Sequence, residues 1–224
     1  MSTISKPRRP LPDSAIWQAY GANRYAVLFY SLLVMLVAVP AAETLGLPQL
    51  VIKLLVAACL VTAVMPNASK GKRAIFLAAI LLLTLLRFVS ESDEVPINFG
   101  PVLAFYGFIG LLAAAGTLKF VVRAARVDSE TVYAALSTYI LAGLFFGVIY
   151  SAVEFMHPGS FVGPDPFTES RAVYYSFVTL ATLGYGDFVP RTDLARGIAV
   201  FEVVGGQLFL AVLVARLIGL FHEK

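Results

Sequence analysis

RAVYYSFVTLATLGYGD, residues 171–187, is a short apolar and aromatic run that breaks on glycines. From Arg171 to Thr182 it offers about 18 Å of helix at about 1.5 Å per residue, against about 30 Å for the hydrocarbon core of a bilayer. Such a run can dip into a membrane and return, but it cannot cross. Directly after it Gly184 and Gly186 flank Tyr185, and glycines at alternate positions disfavour helix and open backbone conformations closed to other residues. Non-helical backbone at membrane depth is tolerated only where protein buries it or where it lines a watery path. An extended segment whose carbonyl oxygens share one direction can replace the water shell of a cation. A short helix that aims its negative C-terminal end at the membrane centre favours a cation there. The chemistry predicted from this stretch is cation dehydration and passage.

The composition of the whole chain supplies the membrane. Of 224 residues 59% are hydrophobic and 14% charged, against roughly 45–50% and about 25% for soluble domains, and the mean hydropathy is +0.82. A water-soluble fold, a disordered chain, a nucleic-acid-binding arm and a coiled coil are all excluded by that balance. Cys59 is the sole cysteine, and His157 and His222 are the two histidines, too sparse a set for a disulfide, a cysteine-based metal cluster or a nucleophile with its base. With no phosphate-cradling loop either, an enzyme and an organic cofactor are not expected.

Six stretches are long and apolar enough to span, at Ala26 to Ala42, Leu50 to Pro66, Ala74 to Ser90, Pro101 to Val122, Val132 to Phe155 and Leu194 to Phe221. Counted on alternate sides, 12 Lys and Arg residues fall on one side of the membrane and 5 on the other, while 9 of the acids lie on the side poor in bases and Glu202 lies within the membrane. By the excess of bases on the inner face, both termini are cytoplasmic. Ile16, Trp17 and Tyr20, followed by Tyr25 and Tyr30, read as an aromatic belt at headgroup level. The loop MHPGSFVGPDPFTES, residues 156–170, is rich in Pro, Gly and Ser and reads as exposed.

Residues Thr179 to Asp187, TLATLGYGD, resemble the T-x-x-T-x-G-Y-G-D signature of potassium channels, and the likeness extends from Val132 to Phe221. The resemblance implies potassium sites formed by the backbone carbonyls of Thr182, Leu183, Gly184 and Tyr185, with Gly184 and Gly186 permitting the geometry and Tyr185 bracing the filter. It implies support from Thr179, from Tyr174 and Tyr175 as an aromatic cuff, and from Asp187, to which Tyr175 would bond. Leu183 departs from the Val or Ile usual in the family and lacks the β-branch that stiffens an extended backbone. The family also places a gating hinge in the inner helix near Gly205 and Gly206; the residues alone equally allow close packing of small side chains there. Glu202, an ionisable group inside a span, must face protein or water. It reads either as a carboxyl hydrogen-bonded behind the pore helix or as a group whose protonation biases the filter.

The fourth span lacks the regularly spaced arginines of a voltage sensor, so Lys119, Arg123 and Arg126 read as a topology anchor. The few residues after Phe221 predict no attached gating domain. One filter strand per chain implies a ring of four copies. The expectation is thus an all-α integral membrane protein of six spans with a re-entrant pore helix and extended filter, tetrameric. Its parts are an interfacial segment (1–25), a four-helix membrane domain (26–127) and a pore domain (128–224). The function expected is passive, potassium-selective conduction in a plasma membrane of bacterial inner-membrane type, with potassium ions, membrane lipids and further copies of itself as partners and no nucleic acid. A weakly selective cation channel, a subunit of a potassium uptake transporter and a non-conducting structural protein are the alternatives.

Overall fold

A computed structural model of the chain describes residues 23–45, 100–124 and 127–221, with the isolated positions 78 and 81. The order is α1 (Arg24–Thr44), α2 (Gly100–Arg123), α3 (Ser129–Met156), β1 (Phe161–Val162), α4 (Glu169–Leu180), β2 (Val189–Pro190) and α5 (Asp193–Phe221). Gly100–Arg123, Ser129–Met156 and Asp193–Arg216 are long and apolar enough to cross a membrane, and α1 offers the shorter apolar stretch Arg24–Ala38. Four of the six expected spans therefore coincide with helices, while Leu50 to Pro66 and Ala74 to Ser90 lie outside the described residues.

Local chemistry sets the ends of these helices. Pro101 stands in the first turn of α2, where its missing N–H leaves no bond unmade. Asp128 caps α3, its carboxylate accepting from the Thr131 amide at 2.8 Å and the Thr131 hydroxyl at 2.7 Å. Those two bonds hold the Asp128 carboxyl below its ordinary value. At the far end of α2 the guanidinium of Arg216, from α5, donates to the carbonyls of Val122 and Ala124.

α3 is the centre of the assembly. It packs along α2, where a Cβ on Gly110 would lie 2.1 Å from the Phe145 ring, so only glycine lets the two helices approach this closely. On another face Gly147 does the same for α4, with a built Cβ 2.6 Å from the Val173 Cα. One core joins Tyr25, Leu28 and Leu32 of α1, Tyr106 and Ile109 of α2, and Leu141 and Phe145 of α3. A second surrounds α4, with Tyr150, Phe161, Tyr175, Phe188 and Ala199. β1 and β2 form a two-residue antiparallel ladder, Phe161 opposite Pro190 and Val162 opposite Val189, which clasps the entry and exit of the α4 segment.

Candidate pore helix and filter

The 12-residue α4 starts at Thr168, whose side chain faces the Arg171 amide, and carries Glu169 in its first turn, where an acid suits the positive end of the helix dipole. Arg171 straps the approach from outside, donating to the Pro166 carbonyl at 2.5 Å and to Asp165 at 3.1 Å. The helix ends in a Schellman-type turn that caps its last carbonyls. Ala181 donates to Phe177 at 3.0 Å, Thr182 to Thr179 at 2.9 Å, and Leu183 and Gly184 both to Val178, at 2.9 and 3.3 Å. The backbone then turns left-handed at every second residue, with φ of 58° at Thr182, 57° at Gly184 and 77° at Gly186. Gly184 and Gly186 take this conformation without penalty, whereas Thr182 is a β-branched residue held where such residues rarely sit. Residues 181–187 are all exposed, with Leu183 at 55% and Tyr185 at 66%. A single chain thus presents the whole glycine segment on an open side.

The supporting residues divide by helical face. Tyr175 is buried at 6% and Tyr174 is 40% exposed. Tyr174 lies beside Asp187, and Tyr175 lies beside Thr179 one turn on. Successive residues on a helix point about 100° apart, so the two tyrosines cannot serve the same partner.

Glu202 of α5 is 1% exposed and is the junction of three helices. Its carboxyl receives the Tyr150 hydroxyl of α3 at 2.6 Å and lies 2.5 Å from the Ser176 hydroxyl of α4. Ser176 also donates to the Gly143 carbonyl of α3 at 2.7 Å. A serine hydroxyl has one proton, so both Ser176 contacts are hydrogen bonds when Glu202 itself carries the proton between them. Next along α5, Gly206 is buried, and a Cβ there would meet Leu180 of α4 at 2.5 Å, while Gly205 has open space beside it. Gly206 is therefore the seat of the end of α4, and Gly205 is not.

The loop before α4 differs from its expected exposure. Ser160 and Phe161 are buried at 0% and 5%, because Glu154 accepts from the Gly159 and Phe161 amides at 2.8 and 3.0 Å and folds the loop inward. Phe161 stacks on Phe167 with centroids 4.2 Å apart and meets Tyr150 and Tyr175 edge-on; Phe188, just past the glycines, closes the cluster against Phe167. Sequence reading missed Phe161, Phe167 and Phe188. The signal was two phenylalanines inside a Pro- and Gly-rich loop, a costly place for them unless they pack.

Residues 135–223, which take in most of α3, all of α4, the glycine segment and α5, match the protein-family model described as "Ion channel". The chain is 36% identical over 63 residues to a protein of Rhodopseudomonas palustris named as a potassium channel protein, a match covering 28% of this chain and 15% of that one. Identity is 42% over 66 residues to "Probable potassium channel protein 2" of Methanocaldococcus jannaschii, covering 27% and 18%. A longer match, 29% over 126 residues, takes in 50% of this chain and 92% of protein LctB of Bacillus caldotenax. The chain spans less than a fifth of the first two relatives and nearly all of the third. No solved structure matches. The matched family model is that of an ion channel, and two of these three relatives are potassium channels by name.

Proposed function

We propose that this chain is one subunit of a potassium-selective channel, in which four copies bring residues 182–186 together around a common axis. The observation that carries the reading is the backbone after α4, left-handed at Thr182, Gly184 and Gly186 and exposed along its length. Alternation of this kind reorients every second peptide, which is what a carbonyl-lined path needs. The ions would be held by the carbonyls of Thr182, Leu183, Gly184 and Tyr185, with Gly186 and Asp187 at the outer mouth. Thr179, Tyr174, Tyr175 and the Glu202 junction hold the segment from behind. Tyr185, open in a single chain, would find its packing partners on a neighbouring copy. Conduction is passive and uses no cofactor beyond the permeant ion. The protein sits in the plasma membrane with both termini on the basic, inner face, and the excess of acids on the outer face concentrates cations at the mouth.

Potassium flux into liposomes containing the purified protein tests this directly, with Gly184→Ser as the partner measurement. Gly184 has φ of 57°, a conformation that an added side chain strains. Flux is expected from the wild type and not from the variant; equal flux from both would remove the filter from residues 182–186. Reversal potentials under mixed potassium and sodium then measure selectivity.

A further inference from the structure

We propose that the pocket between the N-terminal end of α1 and the C-terminal end of α2 binds the phosphate headgroup of an anionic phospholipid. The cavity, about 380 Å³, is lined by Arg24 and Tyr25 of α1 and by Lys119, Phe120 and Arg123 of α2. Three cations converge on it. The Arg24 guanidinium lies over the rings of Tyr25 and Phe120, 5.1 and 5.4 Å from their centroids, so its head is held against an aromatic floor. Lys119 and Arg123, both exposed, stand one turn apart on one face of α2, as residues four apart do. Among the described residues neither is paired with an acid. Among the described residues that touch this pocket's lining, the acid is Glu130, bonded to the Tyr25 amide at 3.0 Å.

An anion beside the end of α2 would ordinarily be repelled by the carbonyls that end a helix. Here Arg216 takes the carbonyls of Val122 and Ala124, which places a fourth cation over that negative end. What remains is a concave site with an apolar floor and a cationic rim, and guanidinium and ammonium groups together suit phosphate oxygens. Its depth selects the source of the phosphate. Arg123 is the last residue of a 24-residue apolar helix, so the rim lies where hydrocarbon gives way to headgroups. A lipid is delivered at that level with its chains alongside α1 and α2.

The test is native mass spectrometry of the full-length protein in detergent, titrated with phosphatidylglycerol or phosphatidylcholine, with a parallel arm of inorganic phosphate as competitor. Phosphatidylglycerol is expected to be retained and phosphatidylcholine not. Lys119→Gln with Arg123→Gln should weaken retention about 30-fold, at the usual worth of two basic residues beside an anionic lipid. The charge-preserving pair Lys119→Arg with Arg123→Lys should bind like the wild type, and so should Arg191→Gln with Arg196→Gln, which removes two exposed charges at the opposite end of α5, outside the pocket. Retention of both lipids alike, or equal loss from the two Gln pairs, would refute a built site. Displacement by millimolar inorganic phosphate would reassign the pocket to a free anion. Each single Gln variant is measured as well, so that misfolding of the pair, read by circular dichroism, leaves the decision intact. None of these readouts passes through conduction.

Discussion

α3 and α5 are alike in apolarity, with mean hydropathy of 1.9 and 2.2 in their most apolar windows, but 61% of the first window is buried inside the chain and 11% of the second. α3 is surrounded: α1, α2 and α4 all lie against it, and glycines at 143 and 147 let α4 come close. α5 touches the chain along one narrow side, through Ala195, Ala199, Glu202 and Gly206, and turns Val200, Phe201, Val204, Leu208 and Val212 outward. Hydropathy thus says that a residue leaves water and is silent on what takes its place. For α3 the replacement is this chain. For α5 it is lipid or, under the proposed function, neighbouring copies, and the exposed segment 181–187 belongs with α5 in needing them.

The largest effect expected from this contrast is on the incomplete side. Gly184→Ser should abolish potassium flux at a cost to thermal stability of only about 1–2 kcal/mol, the strain of a side chain at φ of 57°, since no atom lies within 4 Å of where the added Cβ would stand. A large loss of stability instead would mean that the glycine segment is part of the packed core. Next comes the complete side. Phe145, 2% exposed, should cost about 3–5 kcal/mol on truncation to Ala, seen as a lowered denaturation midpoint in detergent. Leu208→Ala on α5, where the side chain is 62% exposed, should leave that midpoint nearly unchanged and shift the oligomer distribution in cross-linking. Equal destabilisation by the two would break the comparison.

The junction between the two sides is Glu202. Glu202→Ala leaves the buried Tyr150 hydroxyl without its acceptor and strips Ser176 of its carboxyl partner, while Ser176 keeps its bond to Gly143, a loss of about 1–3 kcal/mol. Glu202→Gln should retain most of it, since an amide can accept from Tyr150 and donate to Ser176 as a protonated carboxyl does. If Gln proves as damaging as Ala, the proton does not lie on Glu202.

The smallest effect is at Asp128, where replacement by Ala should cost about 1 kcal/mol, typical of an N-cap. Its carboxyl is held below the ordinary 3.8 in the folded chain, so this contribution is complete above that value and disappears as pH falls through the lower, folded one. Denaturation midpoints of wild type and Asp128→Ala should therefore differ at neutral pH and converge in strong acid.

Much of this was legible in the sequence for reasons that can be named. A dozen apolar residues followed by alternating glycines has few structural solutions in a membrane, and the structure bends at Thr182, Gly184 and Gly186. A lone acid in a span demands partners, and Glu202 has them in Tyr150 and Ser176. The choice between Tyr174 and Tyr175 was not legible, because two adjacent identical residues carry no record of which faces the core until α3 is docked. Nor was the cluster of Phe161, Phe167 and Phe188, since its members lie on opposite sides of α4 and meet only when the chain returns. The division of roles between Gly205 and Gly206 likewise depends on where Leu180 arrives.

The two-residue ladder of β1 and β2 has a topological consequence. Because Val162 sits opposite Val189, the chain between them leaves and re-enters at one point, as a closed loop whose entropy of closure is already spent. Its contents can be exchanged without altering the distance between its anchors. α4 and the glycine segment are, in that sense, a replaceable cartridge, and a chimera that swaps residues 163–188 while retaining Val173, Ser176, Phe177 and Leu180, the side chains fitted to α3 and α5, keeps the frame while changing what it displays.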